Sequence, residues 1–486
     1  MLAGFMEVNW GVVLILLPLI GGIACFLYPR LVKILGVLTS FALVLSVAGL
    51  GWQIKINDIY RHSVGGWDAP LGIELYADGL SLLMLSATAL VGLGISVYSV
   101  GYFDREDSSR FWPLWLFLIA ALNALFLSAD IFNLYVNLEL MGLTAVTLAA
   151  LTGSRDALSG SMRYLLATLL GSLVYLLGVA LLYHGFGSMD IGILSVRVES
   201  SPVAWVALGL ISTGLLLKTA LFPLHFWLPA AHANAPAPVS ALLSALVVKA
   251  SFYILFRLWL KIFSPISEGV EMIFGLLGSM AILWGSLQAL RQTRLKLLVA
   301  YSTVAQIGYL FLSFPLAISG VATAWSATAY LILSHALAKA AMFLAVGNIL
   351  CFGVHDRIAG LDRVVQRLPL TASAFALAGI SIMGLPPSGG FIGKWLLLEA
   401  ALTKGRWDLV VVIILGGLMA AGYVFKVLGN AFTPSSEPHK SRPVPACMEW
   451  ASLLLALGAI LLGFFVSPVS SLLDMGSPFD ISGVRP

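Results

Sequence analysis

A chain of 486 residues that is 60% apolar and only 10% charged is too rich in hydrocarbon for a soluble core. With a mean hydropathy of +0.98 it reads as an all-α polytopic membrane protein. The formal net charge of +4 is small and scattered, so no nucleic-acid partner is expected. Cys25, Cys351 and Cys447 form no CxxC pair, so neither a disulfide framework nor a zinc or iron–sulfur site is supported, and no cofactor is expected.

In chain order, runs long enough to span about 30 Å of hydrocarbon fall at 10–28, 32–53, 77–103, 112–128, 131–152, 162–186, 203–221, 238–260, 272–290, 295–314, 322–350, 371–402, 409–432 and 448–465, which makes 14 spans. Glu7 is the only charge before Arg30, so the first span reads as an anchor and not a cleaved signal. The polar stretch 55–74 reads as an external loop that turns at Gly65-Gly66. Small-residue runs at 171–178 and 416–422 (GGLMAAG) offer faces for helix packing, against sister subunits or within the chain.

Basic residues set the orientation. One set of loops holds Arg30, Lys33, Arg105, Arg110, Arg155, Arg163, Arg291, Arg294, Lys296, Arg357, Arg363, Arg367, Lys440 and Arg442; the other holds fewer, among them Lys55, Arg61, Arg197, Arg257 and Lys261. The richer set belongs inside, which puts both termini outside an inner (plasma) membrane.

Five lysines fall within spans: Lys218, Lys249, Lys339, Lys394 and Lys426. A charge at the bilayer centre costs about 2.5–3.5 kcal/mol on insertion scales and usually serves a function. Lys426, six residues from its helix end, is the one best placed to snorkel. Among the carboxylates, Glu139 in IFNLYVNLELMGLTAV is the one well inside a span, and Lys218 is its natural partner. His335 and Lys339, four residues apart in SHALAKAAMF, share a helix face as two stations of a proton relay would.

Two spans are broken. In LLLKTALFPLHFWLPAAHANAPAPVSALLSALVVKASF, Pro223 and Pro229 interrupt the helix after Lys218, and His225 and His232 lie beside the break. In GISIMGLPPSGGFIGKWLLLEA, Pro386 and Pro387 break the helix before Lys394. Broken helices at membrane depth are tolerated where protein or water surrounds them. The reversed order of charge and break suits two inverted five-helix repeats, at 112–262 and 268–433, between N-terminal helices at 1–111 and a last helix and tail at 446–486. His225 and His232 imitate a metal pair, but Pro229 lies between them and no thiol or carboxylate is near, so no metal is expected.

These four motifs, DIFNLYVNLELMGLTAV, the Lys218–Lys249 stretch, SHALAKAAMFLAVG and GLPPSGGFIGKW, resemble the signatures of the antiporter-like proton-translocating subunits of respiratory complex I, Mrp-type Na+/H+ antiporters and membrane-bound energy-converting hydrogenases. The resemblance covers about 77–432 and implies 14 core helices, two inverted repeats and a proton path along a central hydrophilic axis. It implies that Glu139 and Lys218 are the ion pair, Lys249 the middle lysine, His335 and Lys339 the relay pair and Lys394 the terminal lysine. His225, His232 and Lys426 are secondary relay candidates. Asn137-Leu138 departs from the aromatics that many relatives place before the glutamate. The chain also ends soon after its last span, and a lysine at 394 makes it more similar to the D-type subunits of Mrp antiporters or their hydrogenase and quinone-reductase counterparts.

The expected function is proton conduction within a multi-subunit membrane complex, with sister membrane subunits as partners and lipid around it. The chain then serves either a redox-driven pump or a non-enzymatic antiporter. Na+/H+ exchange in an Mrp-like assembly is the first alternative. A stand-alone solute or cation symporter, a class that also uses broken helices, is the second.

Overall fold

The computed structural model describes residues 8–264, 266–267, 269–317, 322–353, 355–434 and 442–477; Glu7, Lys440 and the end of the 446–486 tail lie outside them. Apart from short helices at Ile191–Arg197, Ser313–Ala317 and Val364–Arg367, the helices are α1 (Trp10–Leu27), α2 (Val32–Asn57), α3 (Gly79–Tyr102), α4 (Arg105–Leu127), α5 (Ile131–Ala149), α6 (Arg155–Phe186), α7 (Pro202–Thr219) and α8 (Leu228–Asn234). They continue as α9 (Ala237–Phe263), α10 (Glu271–Arg291), α11 (Leu295–Phe311), α12 (Ala322–Gly353), α13 (Pro369–Met383), α14 (Gly389–Thr403), α15 (Trp407–Phe432), α16 (Ala446–Leu461) and α17 (Val466–Asp474). Among the described residues, 13 helical stretches are long and apolar enough to cross a membrane. The halves α13 and α14, 15 residues each, together supply the length of one more. The 14 spans read from the sequence are therefore all helical.

Side chains start many of these helices. Asp78 accepts from Ser81 N at 2.9 Å, Asp130 from Asn133 N at 2.7 Å and Ser388 from Phe391 N at 3.1 Å, so orphan amides at the first turns of α3, α5 and α14 are satisfied. The stretch expected as a loop after α2 is in part ordered: Tyr60–Ser63 (β1) pairs antiparallel with Glu74–Ala77 (β2), Tyr60 opposite Ala77 and Ser63 opposite Glu74. Gly65 and Gly66, at φ +73° and +77°, make the turn beside this ribbon. Tyr60 and Tyr76 supply strand propensity that the polar composition masked.

Helix packing uses small residues. α6 and α7 approach so closely that a Cβ on Gly214 would lie 2.5 Å from the Gly171 carbonyl oxygen. α10 and α11 repeat the arrangement, with a Cβ on Gly308 reaching 2.5 Å from the Gly278 carbonyl oxygen. Three glycines of the small-residue runs noted above are thus turned inward, while Gly422 is exposed. Gly171 and Gly178 face α7, and Gly416 abuts Tyr309 of α11.

At the centre stands α9, whose most apolar window is 100% buried. It is not a regular α-helix throughout, since Leu243–Val247 and Trp259–Phe263 are π-helical. α12 packs against it and also meets α13, α14 and α16.

Candidate functional site

The two breaks are built alike. α7 ends where Ala220 turns left-handed, at φ 58°, with Leu221 N donating to Leu216 O and Ala220 N to Leu217 O, both at 3.2 Å. α13 ends at Gly384, φ 83°, with Leu385 N donating to Ile380 O at 3.1 Å and Gly384 N to Ser381 O at 3.2 Å. Each pair of bonds is a Schellman closure, which satisfies the carbonyls one turn back and leaves the last ones open. Pro223, Pro386 and Pro387 follow these ends. Pro229 instead stands at the first turn of α8, where its missing N–H costs nothing.

At the second break the open carbonyls are filled by Lys394. Its Nζ donates to Ile382 O at 2.7 Å and Met383 O at 3.3 Å, and sits 4.3 Å from the centre of the Tyr309 ring. A cation there meets the negative end of the α13 dipole and an aromatic face together. On one side Lys394 borders a hollow of about 260 Å³ between α14 and α15.

Lys249 is held the same way by a different device. The π-helical turn at 243–247 shifts the backbone bonding, and Lys249 Nζ donates to Ser244 O and Ala245 O, each at 2.8 Å. Lys339 on α12 donates to Val299 O of α11 at 3.2 Å and to the Ser302 hydroxyl. His335, one turn before it, is buried, and neither ring nitrogen finds a hydrogen-bond partner. His335 lies within electrostatic reach of Lys249, Lys339 and Lys394, so these four groups form one cluster across α9, α12 and α14.

Glu139 and Lys218 form a separate station. Lys218 Nζ stands 3.6 Å from Glu139 Oε2, within ion-pair range but too far for a hydrogen bond. Glu139 also accepts from the Ser172 hydroxyl. The lysine side chain is 2% exposed and the glutamate 21%, so the pair reaches toward the outer face of α5. That face presents Phe132, Val136, Leu140 and Leu143 outward. Lys218 passes over Gly171, where an added Cβ would lie 3.0 Å from its Cγ.

The secondary candidates divide. His232 is fully buried, its ring stacked 4.8 Å from that of Phe343 and within electrostatic reach of Lys296 and Lys339. His225 stacks on Phe222, 5.6 Å between ring centres, beside the first break. Lys426 donates to Leu290 O and Gln292 O, each at 2.8 Å, so it closes the end of α10, apart from the Lys249–Lys394 cluster.

Two residues assigned to loops from the sequence belong inside. Lys296 is 5% exposed on the first turn of α11, where it donates to Ala235 O. Arg257 is 6% exposed on α9, paired with Asp78 at 3.0 Å. Charged residues near span ends look like loop residues when the packing around them is unseen. The four-residue spacing of Lys249, Tyr253 and Arg257 is the signal that could have found the second. Ser172, Ser302 and Gln306, which donates to Ile382 O at 3.3 Å, carry no such signal.

Residues 128–420 match the family described as NADH:quinone oxidoreductase/Mrp antiporter, TM, and residues 63–112 match complex I chain 5 N-terminus. The chain is 34% identical over 495 residues to the N-type subunit of the NADH-quinone oxidoreductase of Desulforudis audaxviator, covering 96% of this chain and 98% of that protein. It is 27% identical over 484 residues to the D-type subunit of a Na(+)/H(+) antiporter of Bacillus subtilis, covering 96% of each. Among solved structures, a chain of the membrane-bound sulfane sulfur reductase, an archaeal respiratory membrane complex, superposes with TM-score 0.89 at 27% identity, again over 96% of each chain.

Proposed function

The chain belongs to the NADH:quinone oxidoreductase/Mrp antiporter membrane-subunit family, and from that premise we propose that it conducts protons through Glu139, Lys218, Lys249, His335, Lys339 and Lys394 within a multi-subunit membrane complex. One observation carries the reading: three buried lysine amino groups and an imidazole share one cluster, and the amino groups are held by backbone carbonyls and a hydroxyl instead of carboxylates. Dipoles keep such groups solvated without fixing their charge, which suits carriers better than counter-ions would. The unpartnered nitrogens of His335 and His232 are groups that a file of waters would satisfy.

Glu139 and Lys218 supply the switch in this scheme. While the pair is closed the lysine keeps its proton. Opening it leaves an ammonium alone in a dry site, a costly state that drives the proton onward to the cluster. No step forms a covalent bond. Because Glu139 reaches the outer face of α5, a sister subunit seated there would bias the pair and couple its own energy source to transfer.

In this reading the two breaks and the two glycine-to-carbonyl approaches, Gly171 with Gly214 and Gly278 with Gly308, support inverted repeats at 112–262 and 268–433. The excess of arginine on the loops opposite the N-terminus supports both termini outside the plasma membrane. Na+/H+ exchange is the second reading, favoured by the likeness to a protein named as part of a Na(+)/H(+) antiporter.

The test uses the parent complex in proteoliposomes. Lys218→Ala and Glu139→Ala each abolish coupled proton transport while the complex still elutes assembled on gel filtration. Transport at the unmodified rate in both variants removes the pair from the path.

A further inference from the structure

The central helix carries a polar stripe that the path above leaves unused. Lys249, Tyr253, Arg257 and Lys261 recur every four residues along α9, so the stripe runs from the cluster toward the face that bears the β-hairpin. Partway along it, Arg257 is enclosed. Its Nη2 donates to Asp78 Oδ2 at 3.0 Å, its Nη1 to Ser81 Oγ at 2.8 Å and to the Tyr253 hydroxyl, and its guanidinium lies over the ring of Tyr76 at 4.9 Å. Tyr253 and Ser81 hydroxyls are themselves 3.0 Å apart. Past this pair a hollow of about 320 Å³ opens, lined by Arg61, Glu74, Tyr76, Asp190, Arg257 and Lys261.

A purely structural pair is a poor account of this arrangement. Burying two ions costs several kcal/mol each before their attraction offsets it, and apolar replacements are often as stable. Asp78 already has a structural task at the start of α3, accepting from Ser81 N, and a neutral asparagine would serve there equally well. The charge on Asp78, with a buried guanidinium to match, asks for another reason.

We propose that Asp78 and Arg257 form a proton gate between Lys249 and the hollow on the hairpin face, with the hydroxyls of Tyr253 and Ser81 as the bridge. The inference rests on the proton-conducting reading above and adds a branch to it. The Lys249 ammonium gives up one proton and becomes an amine. Water carries that proton across the gap from Lys249 to the Tyr253 hydroxyl, which swings its own proton from the Phe126 carbonyl, 3.1 Å away, to Ser81 as it accepts; Ser81 does the same toward Asp78, so both hydroxyls end unchanged. The neutral Asp78 loosens its hold on Arg257, releases the proton into the hollow and returns to the carboxylate. Arginine stays protonated throughout and acts as the counter-charge, not as a carrier.

The experiment measures proton transport by the whole complex in proteoliposomes, normalised to assembled complex. Tyr253→Phe keeps the ring that packs edge-on against Phe126, 5.1 Å between centres, and removes only the hydroxyl. It is expected to lower transport at least tenfold. Asp78→Asn keeps the helix start and is expected to do the same, while Asp78→Glu recovers a part. If Asp78→Asn fails to assemble, Tyr253→Phe decides. Both variants transporting at the unmodified rate while Lys218→Ala does not would overturn the gate and leave the main path standing. Normal transport in Lys218→Ala as well marks a failure of the main reading instead.

Discussion

Lys394 Nζ lies 2.7 Å from the carbonyl oxygen of Ile382, so this lysine closes the end of the half-helix that the sequence breaks just before it. Charge and break are one unit. The carbonyls that a Schellman closure leaves open become the solvent of a buried ammonium.

Lys394→Arg tests whether this ammonium is a carrier. Arginine keeps the charge, can donate to the same carbonyls and cannot give up its proton under any relevant condition. The expected outcome is an assembled complex with proton transport lowered at least tenfold. Transport near the unmodified rate would make Lys394 a fixed counter-charge for the α13 end.

The two break residues predict opposite sensitivities. Ala220 holds φ 58°, a conformation that costs a side chain about 1–2 kcal/mol and glycine nothing. Ala220→Gly should therefore leave assembly and transport intact, changing thermal stability by no more than about 1 kcal/mol. Gly384→Ala meets the same backbone cost and also drives a Cβ to 2.7 Å from Lys394 Cδ. It should lose transport before it loses assembly. Equal effects from the two changes would contradict the closure described here.

Close helix approach behind Lys218 gives a third expectation. A side chain at Gly214 has no room, since its Cβ alone would lie 2.5 Å from Gly171 O and 2.8 Å from Tyr175 N. Gly214→Leu should separate α6 from α7 and destabilise by more than about 3 kcal/mol, in line with severe overpacking. Yield of monodisperse protein and its melting temperature report this directly. Gly209→Ala, at a position with open space around its Cβ, is the control and should be close to neutral.

The fourth expectation concerns the chain by itself. Purified alone and placed in liposomes, it should show no robust cation-dependent proton exchange, because the proposed path holds a switch but no energy source to bias it. Vigorous exchange by the lone chain would favour a single-subunit carrier.

The sequence by itself determined the membrane class, the 14 spans, both breaks and the charges that stand deep within spans. These are written in local quantities: run length, proline position and the rarity of charge in hydrocarbon. It also paired Glu139 with Lys218, since one carboxylate within a span leaves little choice of partner. Only the tertiary structure decided what holds the other lysines. Lys249, Lys339 and Lys394 are bound by carbonyls at a π-helical turn, on a neighbouring helix and at a half-helix end. Every residue carries a carbonyl, so no residue type announces which ones will meet a lysine. The same limit hid Asp78 with Arg257, which stand 179 positions apart. Each looks like an ordinary span-end charge until α3 and α9 are packed side by side, because separation along the chain says nothing about a contact that helix packing creates.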